Sequence, residues 1–198
     1  MKNIVSYIIL TTIFLTACNS NRPPKSQETG NKLGLLSDSE NVTASKGEAI
    51  DKKNSTPVNE IISAYLELKN ALVKDNSAGA AAAGTSLKAA LTTFNKTLLT
   101  ADQKKTFEAV EADVKEHAEH IGESSGNIKH QREHFEMLSN DIYDLAKALG
   151  SGQVLYKDFC PMYNNGKGAY WLSETKDIQN PYYGKEMLTC GSIKEELH

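Results

Sequence analysis

Apolar side chains recur at helical spacing in four successive stretches between residues 58 and 149. The stretches open near Val58, Asn76, Thr100 and Asn127, and few residues separate one stretch from the next. Each is long enough to bury one apolar face, and short connections favour antiparallel neighbours. The sequence therefore predicts an all-α fold, an up-down antiparallel four-helix bundle.

Several residues indicate where these helices begin and end. Thr100, with Gln103 three residues later, has the capping-box pattern that opens a helix. Thr56-Pro57 predicts the start of the first helix, and Gly150 the end of the fourth. The second helix is expected from about Asn76 to Leu99, and its run of alanines and glycines would let a neighbouring helix approach closely.

The C-terminal segment, Tyr156 to Leu197, differs in character from the helices. It is rich in glycine and aromatic residues, and no alternating pattern in it is long enough to predict a sheet. We expect an irregular tail, rich in aromatic residues, cysteine and methionine, that packs on the bundle. Helices and tail together form one predicted domain of ordinary size, residues 57–198.

The N-terminus predicts export and a lipid anchor. Lys2 precedes an apolar run of about a dozen residues, which is too short to span a membrane. The run ends in Leu15-Thr16-Ala17-Cys18, the pattern of a bacterial lipobox, whose cysteine is lipidated and becomes the new N-terminus. We therefore predict a lipoprotein signal peptide over residues 1–17 and a lipid on Cys18.

The next segment, residues 18–56, predicts a tether. It is polar and contains no Phe, Tyr or Trp. We expect it to be disordered, because it cannot bury enough apolar area to offset the entropy of ordering. The lipid would hold the domain in the bacterial cell envelope, on the outer membrane and facing the periplasm, so the membrane is one expected partner.

Charge and motifs narrow the range of functions. The formal net charge is −3 and no basic cluster occurs, so nucleic-acid binding is not expected. No nucleophile–base pair, phosphate-binding loop or paired-carboxylate motif stands out in the sequence. We therefore predict that the protein is not an enzyme.

Two cysteine–methionine pairs bracket the C-terminal segment, Cys160 with Met162 and Met187 with Cys190. Thiolate and thioether sulfurs are soft ligands, and together they favour Cu(I) over hard cations. The alternative is a Cys160–Cys190 disulfide, because an exported protein meets an oxidising space in which such a bond persists. A thiolate site and a disulfide exclude each other at any one time.

Four of the five histidines lie close together in the sequence. His117 and His120 precede the predicted turn, Gly122–Gly126, whereas His130 and His134 follow it. In an antiparallel hairpin, His117 and His134 would lie at similar heights and face inward, while we expect His130 to face solvent. His117, His120 and His134 therefore join the predicted metal ligands. Zinc is the alternative metal, since two cysteines with two histidines make an acceptable tetrahedral set.

Several motifs carry a resemblance to a known group of proteins. They are Gln131-Arg132-Glu133-His134-Phe135, Leu138-Ser139, Phe159-Cys160-Pro161-Met162, Gly168-Ala169-Tyr170-Trp171-Leu172, Asn180-Pro181-Tyr182-Tyr183-Gly184 and Met187-Leu188-Thr189-Cys190-Gly191. Over about residues 58–195 the chain resembles an uncharacterised bacterial domain family, found in small lipoproteins and fused to periplasmic adaptor subunits of heavy-metal efflux systems. The family has no established activity. Because the domain occurs fused to adaptors of heavy-metal efflux systems, the resemblance implies metal handling. It also implies an efflux adaptor or another periplasmic protein as a partner.

Two hypotheses about function follow. The first is a lipoprotein exposed to the periplasm that binds a soft metal ion, Cu(I) before zinc, in metal handling or efflux. The second is a non-enzymatic structural or interaction lipoprotein with a Cys160–Cys190 disulfide. That bond would close a loop of about 30 residues and add on the order of 3–4 kcal/mol to the free energy of unfolding.

The predicted anchor can be tested directly. We expect Cys18→Ser to move the protein from the membrane fraction to the soluble fraction, because the lipid is the anchor that the sequence predicts. Fractionation of cells that express the variant or the wild-type protein measures this. A serine variant that stays with the membranes would contradict the lipobox prediction.

Overall fold

The computed structural model describes residues 58–198, so the predicted signal peptide, the predicted lipidation site Cys18, the predicted tether and Thr56-Pro57 lie outside the described residues. Four long helices come first: α1 (Asn59–Val73), α2 (Ser77–Thr93), α3 (Ala101–Glu123) and α4 (Ile128–Leu149). Each of them packs against the next along the chain. As predicted, this part of the protein is mostly helical. None of its helices has both the length and the apolar character needed to cross a membrane.

The start of α3 confirms the predicted capping box. The Thr100 hydroxyl accepts a hydrogen bond from the backbone N–H of Gln103 at 3.3 Å, and the Gln103 side chain accepts one from the backbone N–H of Thr100 at 3.1 Å. At the other end of the helical region, α4 stops before Gly150, whose φ of 81° suits a residue without a side chain. These local signals placed both helix ends correctly.

The predicted extent of α2 is wrong at its C-terminal end. The helix stops at Thr93, and Phe94 takes an extended conformation with ψ of 127°. Asn95 then caps a 3₁₀ turn, Lys96–Leu98, by accepting a hydrogen bond from the Thr97 backbone N–H at 3.0 Å. Leu98, which was predicted to lie in this helix, is outside it, and 62 % of its surface is exposed.

Small residues in α2 do allow close helix packing. A Cβ atom on Gly84 would lie 2.8 Å from the backbone oxygen of Ala118 in α3. Glycine therefore lets the two backbones approach at a point where a larger residue would push them apart. This confirms the prediction of a close neighbour.

The C-terminal segment contains a three-stranded antiparallel sheet, so the prediction of an irregular tail is wrong in this respect. Its strands are β1 (Leu155–Cys160), β2 (Ala169–Ser173) and β3 (Ser192–Leu197), in the order β2-β1-β3. The sheet pairs residues far apart in the chain, such as Leu155 with Leu197, and no local pattern reveals such pairs. β3 is also mostly exposed and rich in charge, which is unlike a typical buried strand.

The sheet packs on the helices through a buried hydroxyl, that of Tyr65 in α1. This oxygen lies 2.9 Å from the hydroxyl of Ser139 in α4, and it accepts a hydrogen bond from the Leu172 backbone N–H in β2 at 3.0 Å. The Tyr65 side chain is fully buried, and its ring stacks on Phe135 at 5.3 Å between centroids. One side chain thus fixes α1, α4 and β2 relative to each other.

A second contact ties the loop after β2 to the helices. The Arg132 guanidinium, on α4, donates hydrogen bonds to the backbone oxygens of Pro181 at 2.7 Å and Leu72 at 3.1 Å, and it pairs with Asp75 at 2.7 Å. Gly184 lies so close that a Cβ atom there would be 2.1 Å from an Asp75 carboxylate oxygen. The predicted packing of the tail on the helices is therefore present.

One buried carboxyl group in the sheet has an unusual environment. Asp158 of β1 is fully buried, and neither of its carboxyl oxygens accepts a hydrogen bond from any residue in 58–198. Burial raises its pKa to about 7, although the nearby Lys69 ammonium opposes the shift. Lys69, itself buried, is paired with Glu174 at 2.8 Å. Asp158 is thus destabilising when it is charged and tolerated when it is protonated.

Removing the Tyr65 hydroxyl should weaken the fold measurably. We expect Tyr65→Phe to lower the free energy of unfolding by about 1–3 kcal/mol, because the buried Leu172 N–H loses its partner. Denaturant unfolding measures the change. Tyr143→Phe is the matched control, since its hydroxyl bonds to Glu195 in a partly exposed position. Equal losses in the two variants would contradict the assigned role.

The buried carboxyl of Asp158 predicts a pH-dependent stability. Its pKa of about 7 in the folded protein exceeds the unfolded value of about 3.9. The stability that protonated Asp158 contributes is therefore complete below about pH 4 and is lost as the pH rises through about 7. We expect the melting temperature of Asp158→Asn to exceed that of wild type by an amount that grows from pH 4 to pH 8.

The control for this measurement is Asp177→Asn, at an exposed aspartate. Comparing both variants with wild type at each pH cancels the contribution of other titrating groups. A melting-temperature difference for Asp158→Asn that stays constant across the range would contradict the assignment.

Candidate metal centre

The hairpin of α3 and α4 brings four histidines together near its turn. His117 and His120 lie in the last turns of α3, and His130 and His134 lie in the first turns of α4. Only residues 124–127 separate the two helices. Side chains at similar distances from this short connection therefore meet across the hairpin.

A buried glutamine holds the hairpin turn in place. The side-chain nitrogen of Gln131 donates hydrogen bonds to the backbone oxygens of Ile121 at 3.1 Å and Ser77 at 3.0 Å. Its side-chain oxygen accepts a bond from the Ser77 hydroxyl at 2.8 Å, and that hydroxyl in turn accepts one from the Gly126 backbone N–H at 2.8 Å. These bonds join the start of α2 to both sides of the turn, so the histidines stand on a fixed frame.

Three of the four histidines form a compact group, which we call the histidine triad: His120, His130 and His134. One ring nitrogen from each lies within 4.8 Å of those of the other two. The rings of His120 and His134 are stacked, and His130 meets His134 edge-on; both centroid distances are 4.5 Å. The side chains of His120 and His130 are 46 % and 38 % exposed, so an ion could reach the group from solvent.

The fourth histidine, His117, is outside the triad and contacts it through His134. Its Nδ1 is 3.1 Å from Nδ1 of His134, so one of the two nitrogens donates and the other accepts. When His134 carries its proton on Nδ1 and donates it to His117, the Nε2 lone pair of His134 is available to a metal. Metal-binding histidines usually donate their other N–H in this way, which fixes the tautomer and the ring orientation.

The environment of His117 and His134 favours the uncharged form of both, because it lowers the pKa of each. Burial, reinforced by the positive charge that the other three histidines can carry, lowers the pKa of His134 to about 4. Burial also lowers the pKa of His117, although Glu116 and Asp113 oppose this shift. A metal binds neutral imidazole, so His134 needs to lose no proton at neutral pH before it can act as a ligand.

The two cysteines meet at one end of the sheet. Cys160 is the last residue of β1 and is fully buried, whereas Cys190, just before β3, is partly exposed. Both are free thiols, and their sulfurs lie 3.3 Å apart. Burial and the contact with Cys160 raise the pKa of Cys190. The two residues therefore form a thiol pair that the fold has already assembled.

The predicted methionines lie in the loops that flank this thiol pair. Met162 is 52 % exposed, and its backbone oxygen accepts a hydrogen bond from the Tyr183 hydroxyl at 3.1 Å. Met187 is partly buried, and its backbone oxygen accepts a bond from the Cys190 N–H at 3.0 Å. Both backbones are thus anchored beside the cysteines.

The structure brings the predicted ligands together in two groups, which the sequence could not distinguish. Within residues 58–198, the histidine triad is the one group of three or more His, Cys, Asp or Glu side chains with ligand atoms within 4.8 Å. Cys160 and Cys190 are therefore not part of this group. His117 is not part of it either, but it contacts His134. Sequence reasoning assigned His130 to solvent, although its i,i+4 spacing from His134 was a signal that the two share a face.

The comparisons with known proteins bear on the helical part of the chain. Residues 61–153 match the model of a family described as a protein of unknown function (DUF3347). The matched segment contains all four clustered histidines and ends before β1, so it does not include the C-terminal motifs. No curated protein and no solved structure matches the chain. The match supports the resemblance to an uncharacterised domain family, and it identifies residues 61–153 as similar to this family of unknown function.

Proposed function

We propose that residues 57–198 form a metal-binding domain with the histidine triad as its centre. The observation that carries the proposal is the convergence of three imidazole nitrogens within 4.8 Å. Bonds of about 2.0–2.1 Å from nitrogen to a metal such as zinc require the nitrogens to surround a common point at roughly this scale. Small rotations of the partly exposed rings of His120 and His130 would complete the arrangement.

Copper is the first candidate metal and zinc the second. Imidazole suits both ions, and a given set of nitrogen ligands generally binds copper more strongly. Three protein ligands leave one position of a tetrahedral site open, and water or a ligand from a partner protein would fill it. His117 supports the centre by orienting His134 and need not touch the metal.

The sequence supplies the proposed cellular setting. The lipobox at Cys18 and the polar segment 18–56 support a lipid-anchored domain on the outer membrane that faces the periplasm. The four long helices would form an up-down antiparallel bundle that acts as a rigid scaffold for the triad. In this setting the domain would act without enzymatic activity as a copper sink or carrier, with a heavy-metal efflux adaptor or another periplasmic protein as its partner.

The second candidate function is a structural or interaction lipoprotein with a Cys160–Cys190 disulfide. The observation that favours it is the distance of 3.3 Å between the two sulfurs, which already touch. In an oxidising compartment a bond between them would persist and restrain the sheet. This function needs no metal at the histidines, so an absence of metal binding there would favour it over the first candidate.

Metal titration of the full-length protein tests the proposal. We expect one equivalent of Zn(II) to bind to wild type, or one of Cu(II) when Cys160 and Cys190 are replaced by serine. The added changes His120→Ala, His130→Ala and His134→Ala should abolish this binding. His117→Ala should weaken affinity by about 10–100-fold, as expected for a residue that orients a ligand. Competition with a chromophoric chelator gives the dissociation constants.

The matched control is His198→Ala, because this histidine lies at the C-terminus and is 75 % exposed beside Glu196. Circular dichroism spectra of all variants check that the helices remain intact. Binding that survives the triple variant at full affinity would contradict the metal centre. Equal weakening by His117→Ala and His198→Ala would contradict the orienting role of His117.

A further inference from the structure

The thiol pair of Cys160 and Cys190 differs from the histidine triad in place and in chemistry. The triad stands on the turn between α3 and α4, whereas the thiol pair lies where β1 ends and β3 is about to begin. No His, Asp or Glu among residues 58–198 joins the two cysteines in a group of three ligand atoms within 4.8 Å. The pair is therefore a separate feature that the proposed histidine centre does not use.

The fold holds the two thiols together without a covalent bond between them. The buried side chain of Asn180 donates a hydrogen bond to the Cys190 backbone oxygen at 2.7 Å. The following residue, Gly191, packs so tightly that a Cβ atom there would lie 2.8 Å from the Trp171 ring and 3.1 Å from the Phe159 backbone oxygen. The loop around Cys190 is thus fixed by its own contacts, and a disulfide is not needed to place it.

The number and type of donor atoms select the class of ligand. Zinc prefers four ligands, and the described residues offer only two thiols without a nearby histidine or carboxylate to complete a set of three. Soft monovalent ions such as Cu(I) and Ag(I) bind strongly to thiolates and form stable complexes with two of them. The flanking Met162 and Met187 add further soft sulfur in the same region.

We propose that Cys160 and Cys190, in their reduced form, are a second metal site that takes a soft monovalent ion, Cu(I) or Ag(I), independently of the histidine triad. Binding replaces both S–H protons: M⁺ and two thiols give a bis-thiolate complex of charge −1 and two H⁺. The inference goes beyond the proposed histidine centre and does not rest on it.

The geometry requires a small movement on binding. Two metal–sulfur bonds of about 2.3 Å in line would separate the sulfurs by more than about 4 Å, so the present distance of 3.3 Å must grow by about 1 Å. Cys160 is fixed inside the sheet, while Cys190 is partly exposed and can move outward. Conversely, oxidation to a disulfide draws the sulfurs together and removes both ligands. Only the reduced protein can therefore bind the ion at this site.

The test uses full-length protein that carries Cys18→Ser, so that only these two of the three cysteines remain. Ag(I) serves as the probe because it binds like Cu(I) and does not change oxidation state. Anaerobic titration of reduced protein, followed by native mass spectrometry and a count of free thiols, should show one Ag(I) bound and both thiols protected. Protein oxidised beforehand with a small-molecule disulfide, which leaves as two thiols, should bind Ag(I) at least 100-fold more weakly.

Variants separate this site from the triad. Cys160→Ser with Cys190→Ser should abolish the Ag(I) site and keep Zn(II) binding, whereas the triple histidine variant should keep the Ag(I) site and lose Zn(II). Cys190→Ser alone, at the partly exposed position, removes one ligand without a change inside the sheet. Met137→Ala, at an exposed methionine on α4, controls for binding to a surface thioether.

Two results would overturn the inference: Ag(I) affinity that is the same in reduced, oxidised and Cys190→Ser protein, or Ag(I) binding that disappears with the histidines. The parallel Zn(II) titration shows whether the histidine centre has failed as well, so the two proposals can fail separately.

Discussion

The buried hydroxyl of Tyr65 is the contact that fixes the sheet, which carries Cys160, on the helices, which carry the histidine triad. It joins α1 to α4, which carries His130 and His134, and to β2, which pairs with the strand that ends at Cys160. Both the Tyr65 hydroxyl and the Leu172 N–H are buried away from water, so leaving either group without a partner would be costly. The requirement to satisfy these polar groups fixes the sheet on the helices more specifically than apolar contact alone would.

The helices were predictable because their signals are local. The capping box at Thr100 and the glycine after α4 act on residues within one turn, and helical periodicity is visible over a single stretch. The sheet was missed because the central strand β1 needs a distant partner: β2 follows it closely in the chain, but β3 comes from the far end of the C-terminal segment. β3 contains three charged residues in succession, a pattern that does not predict a strand. Its pairing with β1 is what identifies it as one.

The candidate ligands were identified by residue type, but their grouping required the structure. Spacing put each histidine pair on one helix face, yet it could not show that His120 of α3 stacks on His134 of α4 across the hairpin, or that His117 contacts His134 through a ring nitrogen. The position of Cys160 and Cys190 follows from strand pairing, which was not predicted. Their separation from the triad divides the soft sulfur donors from the imidazoles, and so gives one small domain two different kinds of donor set.

The exposed strand β3 has a consequence for how copies of this domain behave beside each other. It forms one edge of the sheet, and an open edge can pair with the same edge of another molecule. Lys194, Glu195 and Glu196 occupy this edge, so in many registers the approach of a second copy would bring like charges together. Copies of this domain at high local concentration would thus remain separate neighbours rather than merge into a continuous sheet.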